Sequence, residues 1–143
     1  MAYHLSVFLV DNKPGKLEKI TKVLDENKIN LRAMSLASTG DFGVVKLLVD
    51  NPDKAYDGLK KQNLTVTKRK VTAVEIENVP GAMHKIISKI SQNGINIEDC
   101  YGFLLKDGKT AVIVLEIENS PEVEKIIKTL GLDVLDENKL YNF

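Results

Sequence analysis

Asn12-Lys13-Pro14-Gly15 opens a helical pattern that leaves through Asn27-Lys28-Ile29-Asn30-Leu31. Asn78-Val79-Pro80-Gly81 opens another that leaves through Asn93-Gly94-Ile95-Asn96-Ile97. Every matching position lies 66 residues from its counterpart, with no gap between turn and exit. A turn, a helix and a strand entry repeated in step mark a duplicated βα unit. The flanks carry the duplication outward. His4 to Val10 alternate on a β-rich background. Pro14 stands where a helix begins, since its missing N–H does no harm there. Leu17, Ile20, Val23 and Leu24 then recur at helical spacing. Leu31–Ser38 and Gly43–Val49 read as strands around a Thr39-Gly40-Asp41 turn, and Asn51-Pro52-Asp53 starts a second helix through Ala55, Tyr56 and Leu59. A strand from Val66 passes through Lys68-Arg69-Lys70 into Val71–Ile76 with almost no linker.

The second copy repeats that order. Met83, Ile86, Ile87 and Ile90 form its first helical stripe, and Ile97–Leu104 and Thr110–Ile117 read as strands. The Lys106-Asp107-Gly108-Lys109 turn between them suits positive φ. Ser120-Pro121 starts a helix through Val123, Ile126, Ile127 and Leu130, and Val134 begins a last strand. The second hairpin is two residues longer, so the offset becomes 68 from Phe42/Thr110 onward. The expected fold is α+β: two tandem ferredoxin-like βαββαβ units, residues 1–68 and 69–143, each an antiparallel sheet with helices on one face.

The strand alternation assigns faces. Val45, Leu47 and Val49, matched by Ile113, Leu115 and Ile117, are expected to meet the helices. Phe8 and Val10, matched at the 66-residue offset by Val74 and Ile76, are expected on that same face. Leu5, Val7, Leu9, Val44, Leu48, Val112 and Val114 then fall on the opposite face, broken by Lys46, Glu75 and Glu116. An outer face this apolar is expected to pack against a second copy as a homodimer.

Composition bounds the function. Twenty basic and 20 acidic side chains give a net charge of zero, so no clustered positive footprint points to nucleic acid or an anionic membrane surface. No apolar run approaches the roughly 18 residues of a membrane span, and the start lacks a basic segment followed by a long apolar stretch. The single cysteine, Cys100, allows no internal disulfide. A cytoplasmic setting is expected. Neither His4 nor His84 has a His or Cys partner at metal-ligand spacing, and both are expected at the surface or at an edge. Cys100 reads as a small buried hydrophobe, and Tyr101 as packing. No phosphate-binding glycine loop and no paired nucleophile and base occur, so neither a cofactor nor an enzymatic activity is expected.

The turns hold the remaining chemistry. Glycine at 15 and 81 lets backbone approach a ligand, and the N–H groups of 15–17 and 81–83 are expected unpaired at a helix start carrying partial positive charge. Such a site suits a carboxylate or other small anion. Asn12 and Asn78 add a donor and an acceptor beside it. Asn caps and Pro-Gly turns are also ordinary structural material.

Asn12-Lys13-Pro14-Gly15-Lys16-Leu17 with Asn30-Leu31, and Asn78-Val79-Pro80-Gly81-Ala82-Met83 with Asn96-Ile97, resemble ACT domains, and the βαββαβ order extends the resemblance over essentially the whole chain. It implies a tandem pair of ACT domains with no catalytic domain attached. It implies ligand contacts at Asn12, Gly15, Lys16, Leu17 and Asn30 in the first copy. In the second copy the equivalent set is Asn78, Gly81, Ala82, Met83 and Asn96. Serine-binding members of the family carry a His two residues before the motif Asn; Val10 and Ile76 stand there, so an apolar or aromatic amino acid fits as well as serine. The reading is a regulatory module that senses an amino acid and acts on a partner metabolic enzyme. The alternative is an assembly module whose turns are structural.

Overall fold

The computed structural model describes Ala2–Phe143; residue 1, the first of the expected 1–68 unit, lies outside it. The elements run β1 (Ala2–Leu9), α1 (Lys16–Glu26), β2 (Leu31–Thr39), β3 (Phe42–Val49), α2 (Pro52–Lys61), β4 (Thr65–Glu77), α3 (Ala82–Gln92), β5 (Ile97–Leu104), β6 (Thr110–Ile117), α4 (Pro121–Thr129) and α5 (Glu137–Tyr141). The second helix of each repeat starts by the same device. Asn51 accepts the Lys54 N–H and Ser120 accepts the Val123 N–H, and each is followed by a proline in the first turn. Side-chain caps of this kind satisfy donors that a helix start leaves unpaired.

The chain divides into two compact units, residues 3–69 and 70–141, with Ala2 and Phe143 grouped with the second. In the first, β1 lies between β3 and β4, and β2 is the edge beyond β3; in the second, β6 lies between β4 and β5. The β1–β3, β2–β3, β4–β6 and β5–β6 pairs are antiparallel. A bulge at the start of the second strand is duplicated: the ladder skips Arg32 between Leu31 and Ala33, and Glu98 between Ile97 and Asp99. The second repeat departs from the expected pattern at its end. Its last strand is reduced to a bridge between Val74 and Val134, after which the chain turns into α5.

The pairing corrects the face assignment in β1. Val7 lies opposite Val45, and Val74 lies opposite Ile113. Because Val45 and Ile113 are equivalent at the 68-residue offset, Val7 and not Phe8 is the counterpart of Val74. The first-strand offset is therefore 67, whereas the turns are 66 apart. The first repeat holds one extra residue before its turn: Val10 and Asp11 separate Leu9 from Asn12, where Glu77 alone separates Ile76 from Asn78. A slip of one residue sends every side chain of a strand to the other face. Leu5, Val7 and Leu9 accordingly join Ile20, Val23, Leu24, Val45, Leu47 and Leu59 in the first core. Phe8 and Val10 are instead 51% and 71% exposed. In the second repeat Val74, Ile113 and Leu115 pack with Ile90, Val123 and Ile127 as expected.

The outer face is buried in part. Leu48, Val112 and Val114 are fully buried and Glu116 nearly so, within a single chain. In the second repeat the C-terminal segment supplies part of the cover. The rings of Phe103 and Phe143 meet edge to face at 5.8 Å, and Leu140 of α5 is fully buried. The face expected to receive a second copy is thus covered in part within one chain, while Phe8, paired there with Val44, stays exposed. No helix among the described residues is long and apolar enough to cross a membrane.

Candidate functional site

Both turns hold their glycine in the left-handed region, Gly15 at φ 91° and Gly81 at φ 85°. A side chain there costs about 1–2 kcal/mol. Nothing lies within 4 Å of a Cβ built at either position. Conformation, not crowding, therefore requires glycine, and the space beside each turn is open. The helices begin one residue after the glycine, so Pro14 belongs to the turn and not to the first helical position, and no side chain caps either helix. The expectation of unpaired N–H groups narrows too. Lys16 N–H donates to the Lys13 carbonyl at 3.1 Å, and Ala82 N–H to the Val79 carbonyl at 3.3 Å. The donors left at each helix start are those of the glycine and of Leu17 or Met83.

The two asparagines tie turn to hairpin. Asn12 N–H donates to the Asp41 carbonyl at 2.6 Å, and Asn78 N–H to the Lys109 carbonyl at 2.8 Å. These acceptors are themselves equivalent at the 68-residue offset. The side chains differ. Asn78 Nδ2 donates to the Gly108 carbonyl at 2.9 Å. Asn12 instead lies against Gly43, where an added Cβ would stand 3.4 Å from its Cγ. Lys13 pairs with Asp11 at 3.2 Å on the surface, as a solvated lysine would. Lys16 and Met83 are exposed, Ala82 is half-buried, and Leu17 is partly buried against the first core. Asn30 and Asn96 are exposed at the entry to the bulged strands. The main chain of Asn30 is held by Asp50, whose carboxylate accepts its N–H at 3.0 Å and whose own N–H donates back at 3.1 Å.

A cleft of about 580 Å³ opens beside the second turn, lined by Val79, Ala82 and Ile86 on one side and by Ile76, Leu132 and Asp133 on the other. Its charged members are of both signs: Glu75, Glu77 and Asp133 against Lys85 and Lys89. Lys89 Nζ also donates to the Leu130 carbonyl at 3.0 Å, fastening α3 to the end of α4, where a cation is favoured. Reading the turn alone misses these charged residues. The sequence signal for them is the alternation of Glu75 and Glu77 just before the turn, with Lys85 and Lys89 four apart after it.

The other side chains named from the sequence differ in burial. His4 is fully buried, correcting its expected surface position, while His84 is exposed and shares a 3.3 Å hydrogen bond with Ser88 one helical turn on. Cys100 is half-buried against the second core, and burial, then Asp99, pushes its thiol up. The Tyr101 phenol is raised far above its usual value, first by burial and then by Asp99, Glu116 and Tyr141, which keeps it neutral.

Comparison with known proteins agrees with this architecture. Protein BT0572 from Bacteroides thetaiotaomicron is 35% identical, with a TM-score of 0.90 over 99% of this chain and 96% of that one. The regulatory subunit of aspartate kinase from Thermus thermophilus, in its ligand-free form, shares the fold at 15% identity, with a TM-score of 0.64 over 90% of this chain and 91% of that one. No curated protein is significantly similar. The family model for an ACT domain pair matches residues 1–143, so this chain belongs to the ACT domain family as a tandem pair.

Proposed function

We propose that this ACT domain pair is a regulatory module that binds an amino acid at its Asn-x-Pro-Gly turns and passes its state to a partner metabolic enzyme. The observation that supports the reading is the cleft beside the second turn, where Ala82 of the assigned residues lines the wall and side chains of both charges stand together. A free amino acid presents a carboxylate and an ammonium at once. The helix-start donors and Lys85 suit the first, and Glu75, Glu77 and Asp133 suit the second. The residues assigned to ligand are Asn78, Gly81, Ala82, Met83 and Asn96, with Asn12, Gly15, Lys16, Leu17 and Asn30 at the equivalent turn. The same fold in a protein described as an aspartate kinase regulatory subunit is consistent with an enzyme partner.

A homodimer belongs to this proposal, and the edge of the first repeat offers it a surface besides the outer sheet face. Met34 and Leu36 are 37% and 42% exposed on β2, an edge strand of the first repeat. Exposed apolar edges favour pairing with another chain. Sedimentation of the wild type and of Leu36→Lys tests that step.

Thermal-shift screening with the twenty amino acids tests the main reading. One of them should raise the melting temperature in proportion to its occupancy, and the rise should vanish in Gly81→Ala. A flat screen at millimolar ligand would sink it. The tie from Asn12 and Asn78 to the hairpins favours the second reading, an assembly module with structural turns, and a flat screen would leave that one standing.

A further inference from the structure

We propose that the β2 edge of one copy pairs with the β5 edge of a second copy, an unlike contact between a first repeat and a second repeat. The contact deepens the homodimer proposed above and rests on it, but on no ligand. Among the described residues each repeat ends in one open strand, β2 beyond β3 and β5 beyond β6. Such an edge presents unpaired main-chain groups to another chain. Charge and shape select the unlike pairing.

The formal zero of the whole chain is the sum of two opposite halves. Residues 3–69 carry twelve basic and eight acidic side chains, a net of +4, and residues 70–143 carry eight basic and twelve acidic, a net of −4. Ion pairs within a repeat cancel from this balance, so it does not depend on which side chains are already engaged. Like repeats side by side set four charges against four of the same sign, whereas unlike repeats set them against the opposite sign. The exposed side chains of the edges agree. Residues directly opposite in an antiparallel pair share a face. Met34 lies opposite Leu47 and Leu36 opposite Val45, so both stand on the helix side of the sheet. That side of β5 holds Cys100 opposite Leu115, Gly102 opposite Ile113 and Leu104 opposite Ala111. At the 66-residue offset Cys100 and Gly102 match Met34 and Leu36, while Leu104, 59% exposed, matches Ser38. Each edge is bulky where the other is small. A glycine in a strand admits close approach of a neighbouring chain, and Leu36 supplies the side chain to lie over Gly102. Every copy has one edge of each kind, so two copies that exchange both contacts close as a dimer.

Sedimentation velocity of the full chain tests it with two edge variants, Leu36→Lys on β2 and Leu104→Lys on β5. Each alone should weaken self-association at least about tenfold, because a lysine blocks its edge. Mixed in equal amounts the two should associate again: the Leu104→Lys chain keeps an intact β2, and the Leu36→Lys chain keeps an intact β5. Raising the ionic strength from about 0.05 M to about 0.5 M should weaken wild-type association several-fold. If a lysine variant loses the wild-type circular dichroism, Leu36→Thr and Leu104→Thr repeat the comparison with side chains that favour strands. A monomeric wild type would overturn the homodimer and this contact together. A Leu104→Lys chain that associates like the wild type, a mixture that stays apart, or association that salt leaves unchanged or strengthens would overturn the unlike contact alone.

Discussion

The extra residue in the first repeat makes a quantitative prediction at Leu5 and Phe8. The ungapped 66-residue alignment places Phe8 with Val74 in a core, and Leu5 on the opposite face. The pairing places Leu5 opposite Leu47, both fully buried, and leaves Phe8 51% exposed. Leu5→Ala removes a leucine from a site closed on all sides, for which large-to-small changes cost about 2–5 kcal/mol. Phe8→Ala removes a ring only half out of water. Full burial of a phenylalanine contributes about 1.5–3 kcal/mol, so half of it gives roughly 1 kcal/mol. The expected gap of about 2 kcal/mol corresponds to roughly a 30-fold difference in the unfolding constant. Urea denaturation followed by far-UV circular dichroism and tyrosine fluorescence reads it directly, with the slope against urea unchanged. If Phe8→Ala costs as much as Leu5→Ala, Phe8 is in the core and the one-residue offset is wrong.

Three further outcomes follow from local geometry. Gly81→Ala should lower stability by about 1–2 kcal/mol through backbone conformation alone, since no atom lies near the new Cβ. Gly81→Asn, better suited to positive φ, should cost less by the same denaturation measurement. Gly102→Ala would place a Cβ 2.8 Å from Ile113 Cδ1 and 3.2 Å from the Val112 carbonyl oxygen, so a loss of about 1–3 kcal/mol is expected from overpacking between β5 and β6. Asp107 is held below its usual value by the main-chain N–H of Thr110, then by that of Lys109 and by the Thr110 hydroxyl. Its folded value is depressed, so its contribution is complete above the ordinary aspartate value of about 3.9 and is lost as pH falls through the lower folded one. Asp107→Asn should flatten that acid-side slope in stability measured from about pH 2 to pH 6.

The parts of the fold legible in the sequence are those with short-range signals. Helix starts at Asn51-Pro52 and Ser120-Pro121, the glycine turns and the apolar stripes each depend on neighbours a few residues apart. Face assignment in β1 depends on counting through a turn, and there a single inserted residue reverses the answer while leaving both motifs intact. The outer face was legible as apolar, but not what covers it. Phe143 reaches Phe103 across forty residues of chain, and the last strand expected from Val134 is present only as its bridge to Val74. At the candidate site, the glycine and asparagine positions were readable. The charges lining the cleft come from β4, α3 and the segment after α4, and only folding brings those three together.

The asparagine of the turn is where the structural and ligand-binding readings diverge, and the hydrogen bonds allow both to be measured on one variant. Asn78 Nδ2 is engaged by the Gly108 carbonyl, which leaves Oδ1 as the atom able to take a ligand ammonium. Asn78→Ala keeps the main-chain bond to Lys109 and deletes one side-chain bond at an exposed position, so stability should fall by about 0.5–1.5 kcal/mol. A purely structural asparagine predicts that loss and nothing more: whatever rise in melting temperature an amino acid produces should survive, measured from the lower baseline. An asparagine that also holds ligand predicts the loss together with disappearance of the rise. Asn12→Ala supplies the contrast, because its side chain packs on Gly43 and lacks the equivalent bond to the hairpin. An undiminished rise in an Asn78→Ala protein that has lost its expected stability would remove Asn78 from the site and leave the glycine backbone to hold the ligand.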